Sequence, residues 1–190
     1  MTDTMNLLMV RHGEILSNVK KIYAGRSGEG LTAKGLAQAR EVAERLSRRD
    51  VHALYSSPIR RAAQTAQIIG KAIGLQPVTE YAFREMEMGP WEGMSEEDIA
   101  RLYPEEWRIW QDRPAELELP GRETLDELLK RVLAGVRGIA RSMEGRTVVV
   151  VTHVAVIRVL LLWHEGKSLN LYKKIHVPNA GIFEIKMTVE

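Results

Sequence analysis

The chain has 190 residues, 45% of them hydrophobic and 27% charged, the composition of an ordinary globular domain large enough to bury a real core. A net charge of +2 is too small to argue for a nucleic-acid or membrane-surface partner, and none is expected, while the absence of cysteine excludes disulfides, thiolate zinc sites and thiol nucleophiles. Any chemistry therefore falls to histidine, carboxylate, serine or threonine. The polar opening Met1 to Asn6 lacks the basic flank and apolar core of a signal peptide, and the longest apolar stretch, Val154 to Trp163, contains Arg158 and is too short to span a bilayer. A cytoplasmic protein is expected, without a membrane partner.

Leu7 to Val10 is an apolar run that stops abruptly on Arg11-His12-Gly13-Glu14. The run suits a strand buried on both faces, and Gly13 permits a sharp turn or a close approach to a ligand. Arg11 and His12 then sit at a strand's carboxyl end, the edge at which open α/β sheets bind ligands. Glu14 to Leu31 is rich in glycine and charge, as expected of a loop passing over a site. Thr32 caps a helix over about Ala33 to Arg48, with Leu36, Ala39, Ala43 and Leu46 on its apolar face.

Val51 to Ser56 reads as a second strand, and Ser57-Pro58 starts a helix that runs to about Ile73 and ends at Gly74. Arg60 and Arg61 fall in its first turn, where the helix dipole opposes a cation; a bound phosphate would compensate, and simple exposure would remove the problem. Gln76 to Ala82 reads as a third strand, and Phe83 to Gly93 has neither helical nor strand period. Ser95 with Asp98 resembles a capping box for a short helix that Pro104 interrupts. From there to Gly121 the chain is rich in Trp, Pro and charge and reads as an insertion or cap. Of Trp91, Trp107 and Trp110, two are expected to pack the cap and one remains available to a substrate cleft.

Thr124 with Glu127 repeats the capping signature for a long amphipathic helix that ends at Gly145. Thr147 to Thr152 is a valine-rich strand that again ends on an imidazole, His153. A helix over about Ala155 to Trp163 follows, then a lysine-rich connection and a last strand, Gly181 to Met187, with Phe183, Ile185 and Met187 on one face. Alternating strands and helices predict an α/β fold with a mostly parallel central sheet, read as one domain over 1–190 with a small cap insertion at about 88–122. Two strands deliver histidines to the same edge. His52, His164 and His176 are too scattered to suggest a metal site.

Taken together, Arg11-His12-Gly13-Glu14, Asn18, Leu31-Thr32 with Gly35, Ser56-Ser57-Pro58 with Arg61-Ala62 and Gln64-Thr65-Ala66, Arg84-Glu85, Gly89 with Trp91-Glu92-Gly93, and Val151-Thr152-His153 resemble the histidine phosphatase superfamily, in its phosphoglycerate mutase-like branch. The motifs span nearly the whole chain in order. The resemblance implies a phosphomonoesterase without metal or other cofactor, in which His12 takes the phosphoryl group, Arg11, Arg61, Asn18 and His153 hold its oxygens, and Glu85 serves as acid and then base. Gly13 and Val154 would line the same pocket, and Glu87 is the second candidate for the carboxylate. Phosphatase substrates in this branch include α-ribazole phosphate, phosphoserine, sugar phosphates and protein phosphohistidine, so a small phosphate ester is the expected partner of a monomer or homodimer.

These residue types suit the chemistry. Phosphoryl transfer is in-line, with charge on three equatorial oxygens, and is catalysed mainly by positioning and electrostatics. Arginine binds two such oxygens through its planar fork. A neutral imidazole attacks phosphorus whereas imidazolium cannot, so its other ring nitrogen needs a fixed partner, expected at a backbone carbonyl near Gly13. One carboxylate suffices, acting first as acid and then as base.

Departures from the family pattern are Ile15, Val154-Ala155 in place of a glycine pair, and Arg122 before Glu123. Arg122 either meets an anionic part of the substrate or is a solvent-facing loop residue. A phosphoglycerate mutase is the nearest alternative, since it shares the phosphohistidine half-reaction. Mutases of this family are generally longer and tend to carry a Glu-Arg-His-Tyr type sequence where this chain has Glu85-Met86-Glu87-Met88, which favours hydrolysis. A non-catalytic phosphoprotein-binding module ranks below both, because His12 and Glu85 are present.

Overall fold

The computed structural model describes residues 4–188; Met1–Asp3, the start of the polar opening, and Val189–Glu190 lie outside the described residues. In chain order the elements are β1 (Thr4–Arg11), α1 (Leu16–Val19), α2 (Ala33–Leu46), β2 (Ala53–Ser56), α3 (Arg60–Ile73), β3 (Val78–Thr79), α4 (Glu96–Leu102), α5 (Pro104–Asp112), α6 (Leu125–Ala140), β4 (Thr147–Thr152), α7 (Val154–His164) and β5 (Ile182–Thr188). They build an α/β fold around one sheet of strand order β3-β2-β4-β1-β5. The pairs β2–β3, β2–β4 and β1–β4 are parallel, and only the edge strand β5 runs antiparallel, on β1.

Strand side chains alternate between faces, and the two faces bury different partners. Leu8, Val10, Leu54, Val149 and Val151 pack under α2 and α3, whereas Met5, Leu7, Met9, Val148 and Val150 pack under α6 and α7. Helix layers on both faces explain why the runs Leu7–Val10 of β1 and Val148–Val151 of β4 are continuously apolar rather than alternating. The register pairs Arg11 with Thr152, and the His12 N–H donates to the Thr152 carbonyl at 3.0 Å. The next residue on each strand is a histidine, so His12 and His153 emerge side by side.

Several boundaries differ from the sequence expectation, each for a local reason. α3 begins at Arg60 rather than at Ser57-Pro58: the Ser57 hydroxyl accepts from the Ile59 N–H and pairs with His153, so this dipeptide forms the turn before the helix. The third strand shrinks to Val78–Thr79, because the Glu80 side chain accepts from the Ala82 N–H and winds Tyr81–Phe83 into a 3₁₀ turn. α6 stops at Ala140, well before Gly145, as the Ser142 hydroxyl takes the Ile139 carbonyl and Gly145 N–H binds Thr4 at the start of β1. Pro104 separates α4 from α5 by occupying the first position of the latter, where its missing N–H costs nothing.

The segment 88–122 holds α4, α5 and two 3₁₀ turns. Trp91 and Trp110 are fully buried and meet edge-on, with Trp107 partly buried beside them. No helix among the described residues is long and apolar enough to cross a membrane.

Candidate active site

The ends of β1 and β4, the start of α3 and the loop after Phe83 converge on a cavity of about 680 Å³. His12 is 2% exposed. Its Nδ1 lies 2.7 Å from the Gly13 carbonyl oxygen, and its Nε2 lies 3.2 Å from the Arg61 Nε–H. A carbonyl only accepts and a guanidinium only donates, so the hydrogen-bond pattern assigns the proton to Nδ1 and the lone pair to Nε2. Burial first, and then the Arg61 and Arg11 charges, hold the imidazole well below its usual pKa. The ring is neutral, with its lone pair facing the cavity's cations.

Arg61 is 1% exposed, while Arg60, its neighbour in the first turn, faces solvent. Arg61 also donates to the Gly25 and Ser27 carbonyls at 2.6 and 3.1 Å, so the Gly-rich loop expected over the site is tied to α3. Arg11 donates to the Val177 carbonyl at 2.6 Å, and its Nε is buried without a protein partner. Burial lowers the Arg11 pKa to about 10, with Glu85 opposing the shift. Gly13 does not line the cavity as expected, because its N–H donates to the Thr65 hydroxyl at 3.2 Å; its role is packing, since a Cβ there would collide with the Gly35 carbonyl, and one at Gly35 with the Glu14 carbonyl. The crossing of the β1 exit over the start of α2 has room for glycine on both sides.

His153 is fully buried, with its ring centroid 5.2 Å from that of His12. Its Nε2 is 2.7 Å from the Ser57 Oγ, and its Nδ1 has no hydrogen-bond partner in the protein. Burial, followed by Arg61, keeps its pKa well below the usual value, so this imidazole too is neutral. Val154, at the first position of α7, lines the cavity, whereas His153 lies behind the wall against His12 and is not itself among the lining residues. Asn18 is also in the wall; its Oδ1 accepts from Asn179 at 2.8 Å and from the Ile15 N–H at 3.2 Å, which leaves its amide NH₂ as the remaining polar group.

Glu85 is 8% exposed, and Oε1 accepts from the Met86 N–H at 2.8 Å. Burial raises its pKa against the pull of Arg61, the Met86 amide, Arg11 and Arg131. The aperiodic segment around it is held from outside. Arg131 donates to the Ala82 and Glu85 carbonyls while forking onto Glu123, Arg26 donates to the Glu85 carbonyl, and the Thr152 hydroxyl donates to the Phe83 carbonyl. Glu87, the second carboxylate candidate, points elsewhere: its side chain is 54% exposed and pairs with Arg26 at 2.9 Å. It does not line the cavity.

Arg122 fits neither expectation. It is 6% exposed, stacks over Trp110 at 4.3 Å and over Trp91 at 5.3 Å, and is not among the cavity-lining residues. Trp110 is both packing and wall, since it supports Arg122 and also borders the cavity. Sequence reading missed Asn179, whose amide donates to the His12 carbonyl at 3.2 Å as well as to Asn18, and missed the cavity-lining Arg158, Tyr172 and Lys173. Arg158 alone carried a signal, as a charge inside an otherwise apolar helix.

Comparison with known proteins identifies the family. The histidine phosphatase superfamily (branch 1) profile matches residues 7–190. The chain belongs to that superfamily. It is 32% identical over 183 residues to phosphoserine phosphatase 1 of Hydrogenobacter thermophilus, covering 96% of this chain and 87% of that protein. Among solved structures, Bacillus stearothermophilus YhfR superposes with a TM-score of 0.89 at 26% identity, over 95% of this chain and 90% of the other. The phosphoserine phosphatase of Entamoeba histolytica, solved with 3-phosphoglyceric acid, gives a TM-score of 0.84 at 25% identity, over 95% and 89%. The chain is a phosphatase of the histidine phosphatase type. Among the described residues no group of three or more His, Asp or Glu is arranged to hold a metal ion.

Proposed function

We propose that the protein hydrolyses small phosphate monoesters without a metal, through a phosphohistidine on His12, with Glu85 as general acid and base. The observation that carries this reading is the pairing of a neutral His12, its Nδ1 proton held by the Gly13 carbonyl, with a buried Glu85 whose pKa is raised, both lining one cavity. In the first half-reaction the Nε2 lone pair displaces the Arg61 contact and attacks phosphorus; the P–O ester bond breaks, and the leaving oxygen takes the Glu85 proton. In the second, Glu85 as carboxylate takes a proton from water, the oxygen attacks phosphorus, and the N–P bond breaks with its electron pair returning to Nε2.

Arg11, Arg61, the Asn18 amide and the His153 ring supply the surroundings for the phosphoryl oxygens, where charge builds in the transition state. The Ser57 contact turns His153 so that its unpartnered Nδ1 is the nitrogen available to phosphate. Residues 88–122 act as a cap on a single 1–190 domain, contributing Met88 and Trp110 to the leaving-group side of the cavity.

The test is a panel of phosphomonoesters incubated with purified protein in EDTA. Phosphate release that is unaffected by chelation is expected, and no release from any ester would refute the reading. Conversion of 3-phosphoglycerate to its 2-isomer faster than phosphate appears would instead identify a mutase.

A further inference from the structure

Besides Arg11 and Arg61, the wall of the cavity carries a second set of cations. Arg158, on the second turn of α7, donates through Nε to the Ile175 carbonyl at 2.9 Å and lies 4.9 Å over the Tyr172 ring. Lys173, in the 3₁₀ turn Leu169–Lys174, sits 5.1 Å from the Trp107 ring and 5.8 Å from that of Trp110. Both line the same cavity as Arg11. Their charges repel: Arg158 contributes to lowering the pKa of both Arg11 and Lys173. Like charges gathered against buried aromatic rings are costly unless an anion joins them.

The protein supplies part of that anion. Glu96 Oε1 lies 3.7 Å from the Lys173 ammonium, a loose pair, and Arg158 makes no ion pair with a carboxylate among the described residues. Arg158 and Lys173 share one carboxylate, Glu96, and the exposed Lys21 adds a further cation to the wall, so this part of the cavity carries a small net positive charge. An anionic group on the leaving alcohol fits that balance, and a carboxylate places less negative charge beside Glu96 than a second phosphate dianion would. The planar guanidinium of Arg158, held by its Nε bond and by the Tyr172 face, presents the fork that matches a carboxylate.

We propose that Arg158, assisted by Lys173, forms a carboxylate subsite, so that the preferred substrates are phosphate esters of hydroxy or amino acids. This rests on the phosphatase reading above. Nothing in the catalytic steps requires these two cations, and their place in the cavity is explained by recognition of the leaving group.

Matched esters test it. O-Phosphoserine and O-phosphoethanolamine differ by the carboxylate alone, and 3-phosphoglycerate and glycerol 3-phosphate differ by carboxylate against hydroxymethyl. The wild-type protein should favour the carboxylate member of each pair in kcat/KM by roughly ten- to a hundredfold, the worth of a charged hydrogen-bonded contact. In Arg158→Met that ratio should collapse towards one, chiefly through KM, and Arg158→Lys should restore part of it. Lys173→Met should lower the ratio to a smaller extent, and it serves as the second probe if Arg158→Met does not fold. Release of phosphate from all four esters with no preference would overturn the subsite while leaving the phosphatase reading intact, as would an unchanged ratio in the Arg158 variant. A stronger preference for fructose 1,6-bisphosphate would overturn the carboxylate assignment, and no release from any ester would remove both.

Discussion

Glu85→Gln separates the chemistry from the scaffold. The amide is nearly the same size as the carboxyl and keeps an oxygen for the Met86 N–H, now met at 2.8 Å, so the Phe83–Glu87 segment should stay in place. What it removes is the transferable proton of a buried acid. General acid–base catalysis is worth about 10²- to 10⁴-fold, or about 3 to 5.5 kcal/mol of barrier. The loss should depend on the leaving group, because an aryl oxide such as 4-nitrophenolate departs without a proton and an alkoxide does not. Single-turnover measurements of phosphoenzyme formation isolate the first step from the second, in which Glu85 is the base. With 4-nitrophenyl phosphate the rate should fall less than about tenfold, and with an alkyl phosphate by about 10²- to 10⁴-fold. Wild-type kcat/KM for alkyl esters should decline as pH rises through the raised Glu85 pKa, and this alkaline limb should vanish in the variant. Equal losses for both leaving groups, or no loss for either, would refute the assignment. Glu87→Gln, at an exposed side chain outside the cavity, should turn over normally.

Other perturbations bear on the packing and charge of the site. Gly35→Ala should destabilise the fold by more than about 2 kcal/mol and depress activity, since the new Cβ collides with backbone at the Glu14 carbonyl and nothing flexible can yield; denaturant unfolding measures it. Arg61→Lys keeps the charge but cannot reproduce bonds to His12, Gly25 and Ser27 together, so kcat/KM should fall about 10²-fold or more and Tm should drop as well, because the loop carbonyls lose their buried partner. Stability should also decline with pH on the acid side. His12 and His153 are neutral in the fold, with pKa values pushed down, so below about 6.5 the unfolded chain binds more protons, and each group costs at most about 1.4 kcal/mol per pH unit. Glu85 acts in the opposite sense: its raised pKa stabilises the fold at low pH, and that contribution is lost as pH rises through the folded value. Urea midpoints at pH 6.5 and 5.5 should therefore differ less in His153→Asn than in wild type; an equal difference would show that the ring is not buried neutral.

The sequence revealed most where local pattern and tertiary placement coincide. The runs Leu7–Val10 of β1 and Val148–Val151 of β4 are apolar because helices cover both faces, and the same strands end on Arg11-His12 and His153 because the register sets those ends side by side. The bond expected between the His12 ring and a carbonyl near Gly13 is present at Gly13 itself. Legibility was lower where position depends on distant chain segments. Asn179 lies in a loop without period and reaches the site only because β5 returns antiparallel to β1 and Ala180 N–H binds the Arg11 and His12 carbonyls. Arg122 has no local signature of burial; its environment is made by Trp91 and Trp110, which come from separate parts of the cap. The third strand failed for the opposite reason, because a single side-chain cap at Glu80 outweighed the β-prone run around it. The cap's aromatic residues could be counted from sequence, but whether Trp110 packs, lines the cavity or does both depends on how α5 meets the 3₁₀ turn at Tyr172.

The most direct test of the account is to trap the covalent intermediate. Protein mixed with 4-nitrophenyl phosphate in EDTA and quenched in alkali within one turnover should carry one phosphoryl group that is labile to acid and stable to base. Peptide mapping should place it on His12, and His12→Asn should abolish both the label and the turnover. Phosphate release by the wild-type protein with no such adduct, or undiminished turnover in His12→Asn, would contradict nucleophilic catalysis at this histidine.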